Sequence, residues 1–380
     1  MSMATGATMT DGIYLDHNAT SPLRPEARTA MVAALDAAGN ASSIHRFGRA
    51  ARRRIEDARE VVAALVNVAP ARVVFTAGAT EANNWVLTGT QRAGRRILAS
   101  AVEHDSVLAV APVEQVPVDR NGVLRLDALE AMLAADGRPA LVSVMAANNE
   151  TGVLQPVAEA AAVARRHGDL LQCDAVPRAG KAPLDVDALD ADSDSLSAHT
   201  LGGPQGVGAL ILRDGVPLAP RLVGGGPERR RRAGTENVPG IAGFGAAARA
   251  ALNGLEDYAG LAVLRDRLEA RIAEGCPDAL VFGAAVPRLA NTSCLTMPGV
   301  AAETQLMAFD LAGIAVSAGS ACSSGKVAES HVLRAMGVEP ALAATAIRVS
   351  LGWNSTERDV EAFADAWIAM RRRDDASAAA

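Results

Sequence analysis

Between residues 70 and 215 short apolar runs alternate with longer amphipathic stretches, and this alternation restricts the fold more than any other property of the chain. Candidate strands fall at 72–75, 96–101, 140–145, 170–174, 194–197 and 208–212, and candidate helices at 25–38, 49–67, 81–92, 126–135 and 157–167. A parallel strand pair needs a crossover of roughly a dozen residues, which a helix supplies, and a sheet covered on both faces takes strands that are apolar throughout. The pattern therefore predicts a layered α/β domain with a mostly parallel sheet. In such sheets ligands bind beyond the carboxyl ends of the strands. After residues 233–240 comes an Ala-rich helical region, 240–274, with a break expected at 254–260. The remainder, 275–375, reads as a small α+β unit with strands near 291–297 and 347–351. From Arg371 onward the apolar period is lost, and a frayed tail is expected.

Composition supplies exclusions. The 380 residues carry 49% apolar and 21% charged side chains, the balance of a soluble globular protein. A formal net charge of −6 argues against nucleic acid as a partner, since phosphate binding is driven by basic surface. No apolar stretch approaches the roughly 20 residues of a membrane span, and the first ten residues lack the basic and apolar regions of a secretory signal. Cys173, Cys276, Cys294 and Cys322 are widely spaced, which suits free thiols in a reducing cytoplasm and offers no metal-site spacing. Lysine occurs only at Lys181 and Lys326, so amines are scarce.

Residues with chemistry gather where the apolar runs end. Phe75-Thr-Ala-Gly-Ala-Thr-Glu-Ala-Asn83 leaves a strand and opens a helix, where Ala79, Thr80 and Glu81 would present N–H groups to a phosphate or simply cap the helix. His104, in Val102-Glu-His-Asp-Ser106, closes the next run, a place for a surface histidine or for one stacked on an aromatic ligand. Asn148 and Asn149 follow another strand and read as a turn or as polar contacts to a ligand. Asp174 ends an apolar strand, and a buried carboxylate there needs a charged or hydrogen-bonding partner. The run Arg229 to Arg232 is at least partly a solvated basic face. Cys322 stands among small residues, Ser317-Ala-Gly-Ser-Ala-Cys-Ser-Ser-Gly325, an environment suited to a reactive thiol on an exposed loop. Arg348 offers the planar fork that binds carboxylates.

In this order the segments, together with Tyr14-Leu-Asp-His-Asn-Ala-Thr-Ser-Pro22 and Ser195-Leu-Ser-Ala-His-Thr-Leu-Gly-Gly-Pro-Gln-Gly-Val-Gly208, resemble the group I cysteine desulfurases of the class V aminotransferase group, over residues 13 to 370. The resemblance implies the fold type I of pyridoxal-phosphate-dependent transferases. That fold has a large α/β domain with a mostly parallel seven-stranded sheet, here 13–255, and a small α+β domain, here 256–375, with the N-terminal segment packed against the latter and a tail at 376–380. It also implies pyridoxal 5′-phosphate as cofactor. Ala79, Thr80, Ser197 and His199 would hold its phosphate, helped by Thr235 from the other subunit of a homodimer. His104 would stack on the ring, Asn149 would bond its phenolic oxygen, and Asp174 would pair with its pyridine nitrogen. Arg348 would clamp the carboxylate of L-cysteine, and Cys322 would take the sulfur as a persulfide and pass it to an iron–sulfur scaffold or another acceptor in the cytoplasm.

Besides Ala41, Pro227 and Arg230, two positions at the expected cofactor site depart from the family. The residue after the histidine of the 195–208 loop is a lysine that carries the cofactor as a Schiff base, and this chain has Thr200 there. A glutamine that supports the phenolic oxygen is replaced by Pro177. A hydroxyl cannot form an imine, and the lost general base alone is worth about 10²–10⁴-fold. Lys181 matches a family lysine that does not carry the cofactor. Three readings follow: a desulfurase with impaired turnover, a non-catalytic dimeric partner or sulfur-relay protein, and another class V aminotransferase or lyase.

Overall fold

A computed structural model describes residues 12–110, 112–319 and 329–378, with side chains through Asp374. The chain enters as a short strand, β1 (Ile13–Tyr14), and two helices, α1 (Pro25–Leu35) and α2 (Arg46–Leu65). Proline opens α1, where its missing N–H costs nothing. His45 caps α2 by accepting a hydrogen bond from Gly48 N at 3.2 Å.

The central layer follows: β2 (Val73–Thr76), α3 (Ala79–Arg92), β3 (Arg96–Ser100), β4 (Glu114–Val116), α4 (Leu126–Ala135), β5 (Ala140–Ser143), α5 (Val157–Arg166), β6 (Leu170–Asp174), β7 (Ser193–Ser197) and β8 (Gly208–Leu212). The seven strands are ordered β2-β8-β7-β6-β5-β3-β4. β8 runs antiparallel to both neighbours, and the other pairings are parallel. Six of the seven strands coincide with candidate strands of the sequence; β4 does not. Its Glu114 and Gln115 are exposed at the sheet edge, where one face and one side meet solvent and an apolar run is not required.

α6 (Val238–Asn253) covers the sheet together with α1 and α2, and α7 (Leu255–Gly275) starts immediately after Gly254. The break expected at 254–260 is thus a single residue, and Gly260 lies inside α7. The C-terminal part holds β9 (Thr292–Thr296), α8 (Ala302–Leu311), β10 (Ile314–Ala315), β11 (Ser317–Ala318), β12 (Ala346–Ser350) and α9 (Glu357–Ala378). β11, β12 and β9 form an antiparallel sheet, while β1 pairs in parallel with β10. Leu15 accordingly packs with Leu268, Ile347, Phe363 and Trp367 in a core separate from the one beneath α2 and α6. The frayed tail expected from Arg371 is corrected: the backbone stays helical through Ala378. Arginine and alanine propagate a helix without needing an apolar face, and Arg371 is tied to Asp374 at 3.3 Å and Asp278 at 3.5 Å.

Candidate active site

The carboxyl ends of β2, β3, β5, β6 and β7 open at one edge of the sheet, and β8 starts from the same edge. The loops there enclose a cavity of about 650 Å³. Gly208 makes the enclosure possible. A Cβ on it would lie 2.5 Å from Leu196 O and 2.6 Å from Gly78 Cα, so the β2–α3 loop can close onto the sheet only over a glycine.

At the α3 end, the first helical hydrogen bond runs from Ala82 N to Gly78 O at 3.2 Å. The amides of Ala79, Thr80 and Glu81 precede it at the helix N-terminus, an end that favours anions. Glu81 accepts from Ala77 N at 2.7 Å and from Arg232 Nε at 3.0 Å. Arg232 is therefore no solvated charge: it offsets a carboxylate that would oppose an anion at this end.

Asp174, 4% exposed, lies on the cavity wall. Its Oδ2 accepts from Asn83 Nδ2 at 2.8 Å and its Oδ1 from Val176 N at 3.1 Å. His104 Nδ1 accepts from Ser106 N at 3.0 Å and lies 2.9 Å from Ser106 Oγ. A neutral ring held this way carries its proton on Nε2. The preceding Glu103 is wholly buried; desolvation, and then the nearby Asp174, push its pKa up to about 8.

Across the cavity, Arg348 Nη2 donates to Asp16 at 2.8 Å and Nη1 to Asn149 O at 3.2 Å, while Nε is buried without a partner. Asn18 ties this side together. Its Nδ2 donates to Asn149 O and Thr292 Oγ1, and its Oδ1 accepts from Lys181 Nζ at 3.0 Å and from Asn291 at 3.0 Å. Burial, and then the charge of Arg348, draw the Lys181 pKa down to about 7. Burial and Lys181 likewise lower that of His199, whose Nδ1 is buried with no hydrogen-bond partner.

The structure brings Ala79, Thr80, His104, Asn149, Asp174, Pro177, Ser197, His199, Thr200 and Arg348 into this one cavity wall. Thr200 is buried, its hydroxyl donating to Ser197 O at 3.2 Å. Thr235 does not line the cavity; it is exposed beside a smaller one of about 220 Å³ that shares Ala77 and Gly206 with the first. Cys322 and Lys326 lie outside the described residues, although Gly319, three positions before Cys322, is on the wall.

The aminotransferase class-V family profile matches residues 13–363. A cysteine desulfurase of Cereibacter sphaeroides is 44% identical over 363 residues, 92% of this chain and 93% of its own length. This chain belongs to the class-V aminotransferase family, within its cysteine desulfurases. Among solved structures, a NifS-like protein from Rickettsia africae ESF-5 superposes with a TM-score of 0.87 at 35% identity, covering 94% of this chain and 98% of that one. Another similar structure is SspA in complex with cysteine, with a TM-score of 0.77 at 28% identity, covering 89% of this chain and 98% of that one.

The cysteine desulfurases are pyridoxal-phosphate enzymes, and the cavity can be tested against that cofactor. The unpaired N–H groups of α3, Ser197 and the unpartnered His199 Nδ1 fit a phosphate. Asp174 and the His104 ring fit a protonated pyridine. Among the described lining residues the aldehyde finds no primary amine, since Thr200 stands where the family has its lysine.

Sequence reasoning missed Asn18, Asp16, Ser106 and Glu103 as parts of the site, and quoted Asn83 only as the last residue of its motif. Helical spacing gave one usable signal: Asn83 lies four residues after Ala79 and so shares its face of α3. Nothing local distinguishes Asn18, which meets Lys181 and Thr292 only through the tertiary fold.

Proposed function

We propose that the chain is a cysteine desulfurase that holds pyridoxal 5′-phosphate by non-covalent contacts and turns over slowly for want of an amine at position 200. The observation that carries the reading is the assembly of ten expected site residues around one cavity, with no lysine among its described lining residues. Bound there, the cofactor supplies an electron sink that makes a substrate's α-proton removable. The chain supplies the rest. Ala79, Thr80, Ser197 and His199 hold the phosphate, Asp174 keeps the ring nitrogen protonated, and His104 covers the ring. Arg348, pre-set by Asp16 and Asn149 O, orients the carboxylate of L-cysteine. Cys322 takes the sulfur and hands it to an iron–sulfur scaffold or another acceptor. Thr200 can donate a hydrogen bond but cannot take the α-proton at neutral pH.

The reading extends to a large domain, 13–255, and a small one, 256–375, supported by a separate core in each, while a further cluster joins Val102 and Met145 to Phe282 and Leu333 between them. It also includes a cytoplasmic homodimer in which Thr235 serves the partner's site, supported by the exposure of Thr235 on this subunit. Among the described residues no helix is long and apolar enough to cross a membrane.

The deciding assay measures alanine and sulfide from L-cysteine for the natural chain, Thr200→Lys and Thr200→Lys/Pro177→Gln. The natural chain is expected to be slower than the double variant by about 10²-fold or more, and to yield no borohydride-stable cofactor adduct on lysine. Equal rates would remove the impairment from the reading. A natural chain that never releases alanine, yet accepts sulfur on Cys322 from a donor persulfide, would favour the relay protein.

A further inference from the structure

We infer that Asn83 is the positioning residue of the cavity, a single amide that sets both Asp174 and His104 around the space for the ring. The inference rests on the proposed binding of pyridoxal phosphate. Asn83 lies one turn into α3 and has no exposed surface. Its Nδ2 donates to Asp174 Oδ2 at 2.8 Å and to Ser106 Oγ at 2.9 Å. Its Oδ1 accepts from Gln172 Nε2 at 2.7 Å, and Gln172 Oε1 accepts from Ser193 Oγ at 2.9 Å.

The direction of this chain is fixed by chemistry. An ionised carboxylate only accepts, so the nitrogen of Asn83 must face Asp174, and a flipped amide would set oxygen against oxygen. With Oδ1 then facing Gln172, the Gln172 nitrogen must face it, and Ser193 must donate to the remaining oxygen. All three donors point toward Asp174. The other arm reaches His104. Ser106 Oγ accepts from Asn83 and so keeps its own proton for His104 Nδ1, 2.9 Å away, which also receives the Ser106 N–H. Asn83 thereby couples the carboxylate at the ring nitrogen to the orientation and tautomer of the histidine on the ring face. It does so from the helix whose N-terminus forms the anion cradle, so ring and phosphate contacts share one rigid element. A buried amide with no such task would be costlier than an apolar side chain of the same size.

The test compares the natural protein, Asn83→Ala and Ser106→Ala by equilibrium dialysis against pyridoxal phosphate, by competition with inorganic phosphate, and by the circular dichroism induced in the bound cofactor. Asn83→Ala is expected to weaken cofactor binding on the order of tenfold, the worth of one hydrogen bond to a charged group. It should also erase the induced signal and leave the phosphate constant unchanged. Ser106→Ala, which cuts only the histidine arm, is expected to diminish the induced signal with a smaller loss of affinity. An Asn83→Ala protein that matches the natural one, or that loses phosphate and cofactor in equal proportion, overturns the inference. Should Asn83→Ala fail to fold, a natural-like signal from Ser106→Ala overturns it instead. A natural protein that binds phosphate but no cofactor overturns the proposed function and this inference together; normal cofactor binding with unaffected variants overturns this inference alone.

Discussion

Glu103 is wholly buried, with Oε1 accepting from Met145 N at 2.5 Å and Oε2 unpartnered. Its carboxyl holds a proton up to about pH 8 in the folded protein and, from an ordinary value of 4.5, loses it far earlier in the unfolded chain. The folded state therefore binds the extra proton between those values, and stability falls as pH rises through that window. Glu103→Gln keeps the accepting oxygen and cannot ionise. Its unfolding midpoint should match that of the natural protein near pH 4.5 and exceed it progressively toward pH 8.5, in urea titrations across the range. A constant difference at all pH values would show that Glu103 does not titrate there. Residues of this kind were illegible in the sequence. Asp174 announced itself as a carboxylate ending an apolar strand, but Glu103 sits in a mostly polar pentapeptide, and its carboxylate is buried against the backbone of Met145, 42 positions away. Lys181 is similar, since its neighbours Asn18 and Arg348 are more than 160 positions away.

Secondary structure was more legible, because most strands buried on both faces betray themselves as apolar runs; β7, Ser-Asp-Ser-Leu-Ser, is buried throughout yet polar, and the other exceptions are elements whose surroundings are one-sided. β4 is an edge strand, and α7 absorbs a glycine that reads as a break. Two glycines in neighbouring helices make the difference measurable. In α6, a Cβ on Gly245 would stand 2.7 Å from both Ala58 Cα and Ala58 Cβ of α2, a backbone contact that cannot yield. In α7, Gly260 is exposed and a Cβ there meets nothing within 4 Å. Gly245→Ala should lower stability by about 1–3 kcal/mol through overpacking, while Gly260→Ala should raise it by about 0.5–1 kcal/mol. Urea midpoints with the same sign for both would refute the assigned packing.

For the molecule as a whole, the decisive arrangement is that all strand ends bearing chemistry lie at one edge of the sheet, while the second core closes the cavity by presenting Arg348 on β12. Fold class and this shared edge followed from the order of apolar runs; the second wall did not, because β1 joins residues 13–14 to 314–315 by a pairing with no local signature. That wall also buries Lys181, 3% exposed, in a chain whose other lysine is Lys326. Amine-directed reagents can thus hardly mark the described surface, and acylation of the Lys181 peptide becomes a clock for opening of the protein interior. Followed by mass spectrometry, its modification should be slow in native buffer, accelerate in urea in step with unfolding, and slow further when ligand closes the cavity. Native acylation as fast as in the denatured chain would mean that this amine is open to solvent. With arginine filling the remaining basic positions, the described part of the folded protein carries a single lysine as its own reporter, buried behind the cavity wall.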